Sequence, residues 1–136
     1  MVWVPSESDS PFARIGGEPA VRRLATRFYD HMDESEPTLA RLHEVDEHGH
    51  VSPRSRERFA LFLCEWLGGP PSYSTVHGHP RLRMRHGRVA VGVEMRDAWL
   101  RCMQHALDDL TVTGEVREFL DGRFAEVADF LRNVQE

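Results

Sequence analysis

Histidine is the residue type with the most chemistry to offer. The chain holds eight, and His43, His48, His50, His77 and His79 fall in or beside segments that glycine and proline break up. A neutral imidazole is the commonest side-chain ligand for iron and zinc, and its second nitrogen is normally fixed by a carbonyl or carboxylate. The spacings favour no zinc cage: finger-type sites pair Cys and His at short fixed separations, and Cys64 and Cys102 are the only two cysteines. His48-Gly49-His50 and His77-Gly78-His79 look like metal motifs, but imidazoles so spaced on flexible backbone are weakly specific, and loop or capping histidines explain them as well. No glycine-rich phosphate loop, Gly-x-Ser-x-Gly elbow or helical His pair with an intervening Glu is present, so standard hydrolase and nucleotide sites are unsupported.

Aromatic residues give a second signal. Phe28, Tyr29, Phe59, Phe62, Trp66 and Trp99 all occupy apolar faces of helical patterns, so their rings either fill one core or line a flat cavity. Tyr29 and Trp99 weigh toward the cavity, because a buried hydroxyl or indole N–H needs a partner that a ligand can supply.

The elements that must position these groups are helical. Val21, Leu24, Ala25, Phe28, Tyr29 and Met32 recur at spacings of three and four after Pro19. A short helical turn is expected from Pro37 to His43, then a polar loop from Glu44 to Val51. Ser52-Pro53 reads as a cap and first helical residue before the stripe Phe59, Phe62, Leu63, Trp66, Leu67, which stops at Gly68-Gly69-Pro70. Residues 70–80 read as a long ordered loop, and the basic run Arg81-Leu82-Arg83-Met84-Arg85-His86 as a short helix. Two longer helices follow, one with Met95, Trp99, Cys102, Met103, Ala106 and Leu110, the other with Val116, Phe119, Leu120, Val127, Leu131 and Val134. Arg88 to Gly92 is the only strand candidate, so the fold class is all-α.

With 136 residues, 40% hydrophobic and 29% charged, the chain suits one soluble core. A formal net charge of −5 repels phosphate backbones and anionic lipid, which argues against a nucleic-acid or membrane role. No stretch approaches the ~18 apolar residues of a membrane span, and the N-terminus lacks a secretory pattern, so a cytoplasmic place is expected. The two cysteines sit in apolar helical patterns and read as reduced packing residues. Residues 1–11, rich in Ser, Pro and acid, are expected to be a mobile tail before a single domain over 12–136.

Gly16-Gly17, Arg27-Phe28-Tyr29, Trp66-Leu67-Gly68-Gly69-Pro70, Gly78 through His86 and Arg96 through Met103 form an ordered succession of motifs over roughly 12–135. In this succession the chain resembles the group II truncated haemoglobins. The resemblance implies a two-over-two helical sandwich around one haem b, with His86 as proximal iron ligand and the sixth position free for a diatomic gas. It implies that Tyr29 and Trp99 are distal donors to the gas, with His43 as a third polar distal group and Ser55 and Phe59 on the distal helix; Phe59 and Phe62 would also touch the haem. Arg85, Tyr73 and His79 match positions near the haem propionates, where a guanidinium can pair with a carboxylate. Where relatives carry Pro-Phe after the proximal histidine this chain has Gly87-Arg88-Val89, a departure in proximal packing.

The function implied is high-affinity binding of O2, and of NO or CO, suited to redox chemistry such as NO dioxygenation or peroxide turnover and requiring a reductase not yet identified. The chain is expected to be a monomer or homodimer. A helical interaction module without cofactor is the competing reading.

Overall fold

The computed structural model describes residues 3–78 and 92–131. The expectations for His79, Arg85 and His86, for a helix at 81–86 and for a strand beginning at Arg88 lie outside the described residues. Seven helices are described: α1 (Pro11–Ile15), α2 (Gly17–Ser35), α3 (Pro37–Ala40), α4 (Pro53–Trp66), α5 (Ser72–His77), α6 (Val93–Asp109) and α7 (Gly114–Leu131). Among the described residues no helix is long and apolar enough to cross a membrane, and extended pairing is limited to the isolated bridges Ser6–Asp9 and Val45–Val51.

Two helical pairs make the body, α2 with α4 and α6 with α7, joined where α2 packs on α6. The six apolar positions read from the spacing on α2 are all buried, and Phe28, Leu24 and Met32 are among the largest fully buried side chains. On α4 the Ser52 hydroxyl accepts from Ser55 N (3.2 Å) with Pro53 in the first turn, the expected capping chemistry. Leu63 and Cys64 of α4 enter the core while Phe59, Phe62 and Trp66 stay partly open. Cys102 is likewise buried and both cysteines are free thiols.

Three expectations are corrected. Residues 70–80 are not all loop: Pro70 and Pro71 precede α5, where no N–H is required of them, and the Glu65 carboxylate accepts from Ser74 N (3.1 Å) and Ser74 Oγ (2.7 Å), holding α5 on α4. On α7 the buried stripe is Leu120, Phe124 and Ala128, while Val116, Phe119 and Val127 are only partly covered. The period is helical in both readings, but α6 docks on a face shifted from the one the larger aliphatics mark.

The third concerns residues 3–10, which form a turn in place of a mobile tail. Ser6 and Asp9 exchange backbone hydrogen bonds of 3.1 Å, and Asp9 accepts from the Trp3 indole (2.9 Å) and from two nitrogens of Arg14 (2.8 Å each). Those donors hold the Asp9 carboxyl at about 2. The Trp3 ring, under the Arg14 guanidinium at 4.2 Å, meets Phe119 edge-on at 5.3 Å. One Trp and one ion pair thus order a segment whose composition reads as disordered. The turn ends at Ser10, the buried N-cap of α1.

The docking of α1 explains Trp66-Leu67-Gly68-Gly69-Pro70. Phe12 N donates to Leu67 O (2.9 Å), and a β-carbon at Gly69 would stand 2.6 Å from the Phe12 ring and 2.8 Å from Cys64 O. Gly68, at φ +96, takes a left-handed conformation beneath Ser10.

Candidate functional site

The partly open rings of α4 share one face, at i, i+3 and i+7. Phe59 and Phe62 lie 6.2 Å apart with planes 16° off parallel, and Phe62 and Trp66 6.4 Å apart at 21°. They form an apolar strip of near-parallel rings along two turns of helix. Phe124 of α7 closes one end against Trp66 (5.0 Å) and reaches Trp99 of α6 (5.8 Å). Phe28 of α2 joins Trp99 (5.2 Å), Phe59 (5.1 Å) and Tyr29 (4.9 Å). Tyr73 of α5 meets Phe62 edge-on at 6.0 Å. Rings from five helices therefore meet, including every described aromatic residue the sequence singled out.

Tyr29 supplies the polar end. It is buried, 5% exposed, between Phe59 and His43, each at 5.5 Å. Burial pushes its phenol above the ordinary range, and the Arg56 charge only partly opposes this, so at neutral pH the hydroxyl keeps its proton and can donate. Among the described residues no side-chain nitrogen or oxygen is both fully buried and without a hydrogen-bond partner, so neither this hydroxyl nor the N–H of the half-buried Trp99 indole is sealed unpaired in the core. Two groups able to donate thus stand against the ring cluster, where a ligand can supply an acceptor.

His43 is refined from the expected role. Its Nδ1 lies 3.1 Å from Leu39 O, and since a carbonyl only accepts, the ring proton belongs on Nδ1. The neutral imidazole then presents Nε2 as an acceptor, and it becomes a second donor only as the imidazolium. Ser55 falls in the capping group of α4, its Oγ 3.3 Å from Ser52 Oγ. His48 and His50 sit over the Asp46 turn, where Asp46 Oδ1 accepts from both their backbone N–H groups (2.8 and 3.0 Å). Among the described residues no group of three or more His, Cys, Asp or Glu could hold a metal ion.

A flat aromatic cofactor with an apolar body suits such a lining: a row of rings offers apolar contact, and polar donors stand beside it. The chemistry of these described residues therefore fits a haem; its expected proximal ligand falls in 79–91, outside them. Phe124 was missed by sequence reading because Phe119 and Val127 carry the louder apolar signal; the i, i+4, i+8 series Leu120, Phe124, Ala128 holds the clue. Arg56 was missed because an arginine in a polar first turn reads as solvated.

The family model of bacterial-like globins matches residues 10–133. The group 2 truncated hemoglobin YjbI of Bacillus subtilis (strain 168) is 38% identical over 94% of this chain and 92% of its own. Among solved structures, the group II 2-on-2 hemoglobin of Agrobacterium tumefaciens superposes with a TM-score of 0.83 at 34% identity, covering 98% of this chain and 100% of that one. The truncated oxygen-avid haemoglobin from Bacillus subtilis superposes at 0.81 with 37% identity, covering 91% and 99%.

Proposed function

Because the chain belongs to the bacterial-like globin family, among the group 2 truncated haemoglobins, we propose that it binds one haem b and retains a diatomic gas, O2 above all, at high affinity. The observation that carries this reading is the pair of donors, the Tyr29 hydroxyl and the Trp99 indole N–H, brought together through Phe28 beside the ring strip of α4.

When bound, the haem supplies an iron centre whose sixth position is open to O2, NO or CO. His86 is assigned as its proximal ligand on the motif that ends at that residue, and Arg85 and His79 are assigned to the propionates on the same ground. Phe59, Phe62, Trp66 and Phe124 give the macrocycle an apolar bed and exclude water from it. Tyr73, buried edge-on against Phe62, the middle ring of that bed, is assigned to a propionate on the same resemblance. Tyr29 and Trp99 would donate to the partly negative gas, and His43, edge-on to the Tyr29 ring at 5.5 Å, would add a donor as the imidazolium.

Two fixed donors slow the release of O2, which suits redox use of the held gas, with electrons from a reductase, better than carriage. The similar truncated haemoglobin from Bacillus subtilis, described as oxygen-avid, supports the same reading. The test is the O2 dissociation rate of the haem-loaded protein: Tyr29→Phe with Trp99→Phe is expected to release O2 at least tenfold faster, and an unchanged rate would overturn the reading of these two residues as donors.

A further inference from the structure

Tyr29 is held from outside its own helix. Val51 N donates to Asp33 Oδ1 (3.0 Å), Val51 O accepts from Arg56 Nε (2.9 Å), and Arg56 Nη2 donates to Asp33 Oδ2 (2.5 Å). These three bonds close a ring through the residue at the head of α4. Arg56 Nη1 adds Thr26 O (3.2 Å) and Asp30 Oδ1 (2.8 Å). Thr26, Asp30 and Asp33 are i, i+4 and i+7 on α2, so one guanidinium spans two turns of that helix. Tyr29 lies within this span, its ring centroid 5.7 Å from the guanidinium carbon.

The cluster is half sunk. The Asp33 side chain is 8% exposed and that of Arg56 20%, so solvent screens it less than the other α2–α4 pair, Arg22–Glu57, at 41% and 53%. The planar guanidinium fork fixes direction as well as charge. Arg22–Glu57 fastens the same two helices, whereas the Arg56 guanidinium also lies over the Tyr29 ring, so mere fastening does not need Arg56 in that place.

We propose that Arg56 is a positioning residue for gas binding: clamped to Thr26, Asp30 and Asp33 of α2 and to Val51 before α4, it fixes the Tyr29 phenol against the ring strip with its hydroxyl toward the ligand. This rests on the globin reading above. Losing the fork frees α2 and α4 to shift by fractions of an ångström, and a hydrogen bond to a small ligand weakens steeply with such displacement.

The test compares the full-length, haem-loaded chain with Arg56→Met, Arg56→Lys, Arg22→Met and Tyr29→Phe, using carbon monoxide and O2 as probes. The C–O stretching band, the O2 dissociation rate and the thermal midpoint are measured for each. In Arg56→Met the band should broaden and shift toward that of Tyr29→Phe, with O2 released about tenfold faster, equal to about 1.4 kcal/mol. Arg56→Lys should fall between, and Arg22→Met should keep the wild-type band and rate. A wild-type band and rate in Arg56→Met, whatever its thermal midpoint, would overturn the proposal; should that variant not fold, the same result in Arg56→Lys overturns it. A wild-type chain that takes up no haem overturns the globin reading itself, and this proposal with it.

Discussion

A single hydroxyl sets much of the chemistry assigned here, because Tyr29 is a buried donor whose surroundings keep it protonated. A hydrogen bond to a group bearing charge contributes about 1.5–3 kcal/mol, so Tyr29→Phe alone should speed O2 dissociation by roughly ten- to a hundredfold in stopped flow. The phenol's pKa is raised on folding, so its share of stability is complete below the ordinary phenol range and is lost as pH rises from there toward the folded value. An alkaline ultraviolet titration should therefore show a phenolate step, absent in Tyr29→Phe, that appears only above that range or together with unfolding. A normal step in the folded protein that is lost in Tyr29→Phe would place the hydroxyl in water. Burial also raises the Cys64 thiol, and the Cys102 thiol to about 11; both should resist an aromatic disulfide reagent in the native protein and react once it is denatured. Tyr29 and Trp99 were legible from the sequence because a polar atom on an apolar helical face is conspicuous. His43's orientation was not, since it depends on the carbonyl of Leu39.

At the level of elements, the joints matter more than the helices. α2, α4 and α6 were readable because each carries an apolar stripe of helical period, and α4 also carries its cap. α1, α5 and the N-terminal turn were hidden: each is too short for a period, and each is held by contacts from elsewhere in the chain, Phe12 to Leu67, Ser74 to Glu65, and Trp3 to Phe119. The glycines of the motif after Trp66 make one joint possible. Gly69→Ala should destabilise the fold by about 2 kcal/mol, the usual scale for overpacking, because Phe12 and the Cys64 carbonyl both crowd the new methyl. Gly122→Ala, where a β-carbon meets nothing within 4 Å, should not destabilise it. Equal thermal midpoints for the two variants would contradict the account of how α1 docks.

Across the whole molecule, α2 links the two helical pairs, and carboxylates paired with arginine or capping backbone lock its surroundings. Asp9, Asp46, Glu57 and Asp109 are all held below their ordinary carboxyl values, by Arg14 and Trp3, by the backbone of His50 and His48, by Arg22, and by His31 and Arg27 respectively. A depressed folded value means the stability is present above the ordinary carboxyl range and is lost as pH falls through it. The thermal midpoint should thus be flat from neutral pH down to about 5 and fall below about 4. The helical body was legible from apolar residues at helical spacing; the meeting of rings from five helices was not, because it depends on packing between segments far apart in sequence. The central claim is that this body holds a histidine-ligated haem, and the most direct test is the visible absorption spectrum of the purified chain, with haem added, before and after dithionite and carbon monoxide, beside His86→Ala. A strong Soret band that moves on reduction and again with carbon monoxide, and that weakens in His86→Ala, is the result expected. A chain that stays colourless with haem present, or a band indifferent to His86, would contradict it.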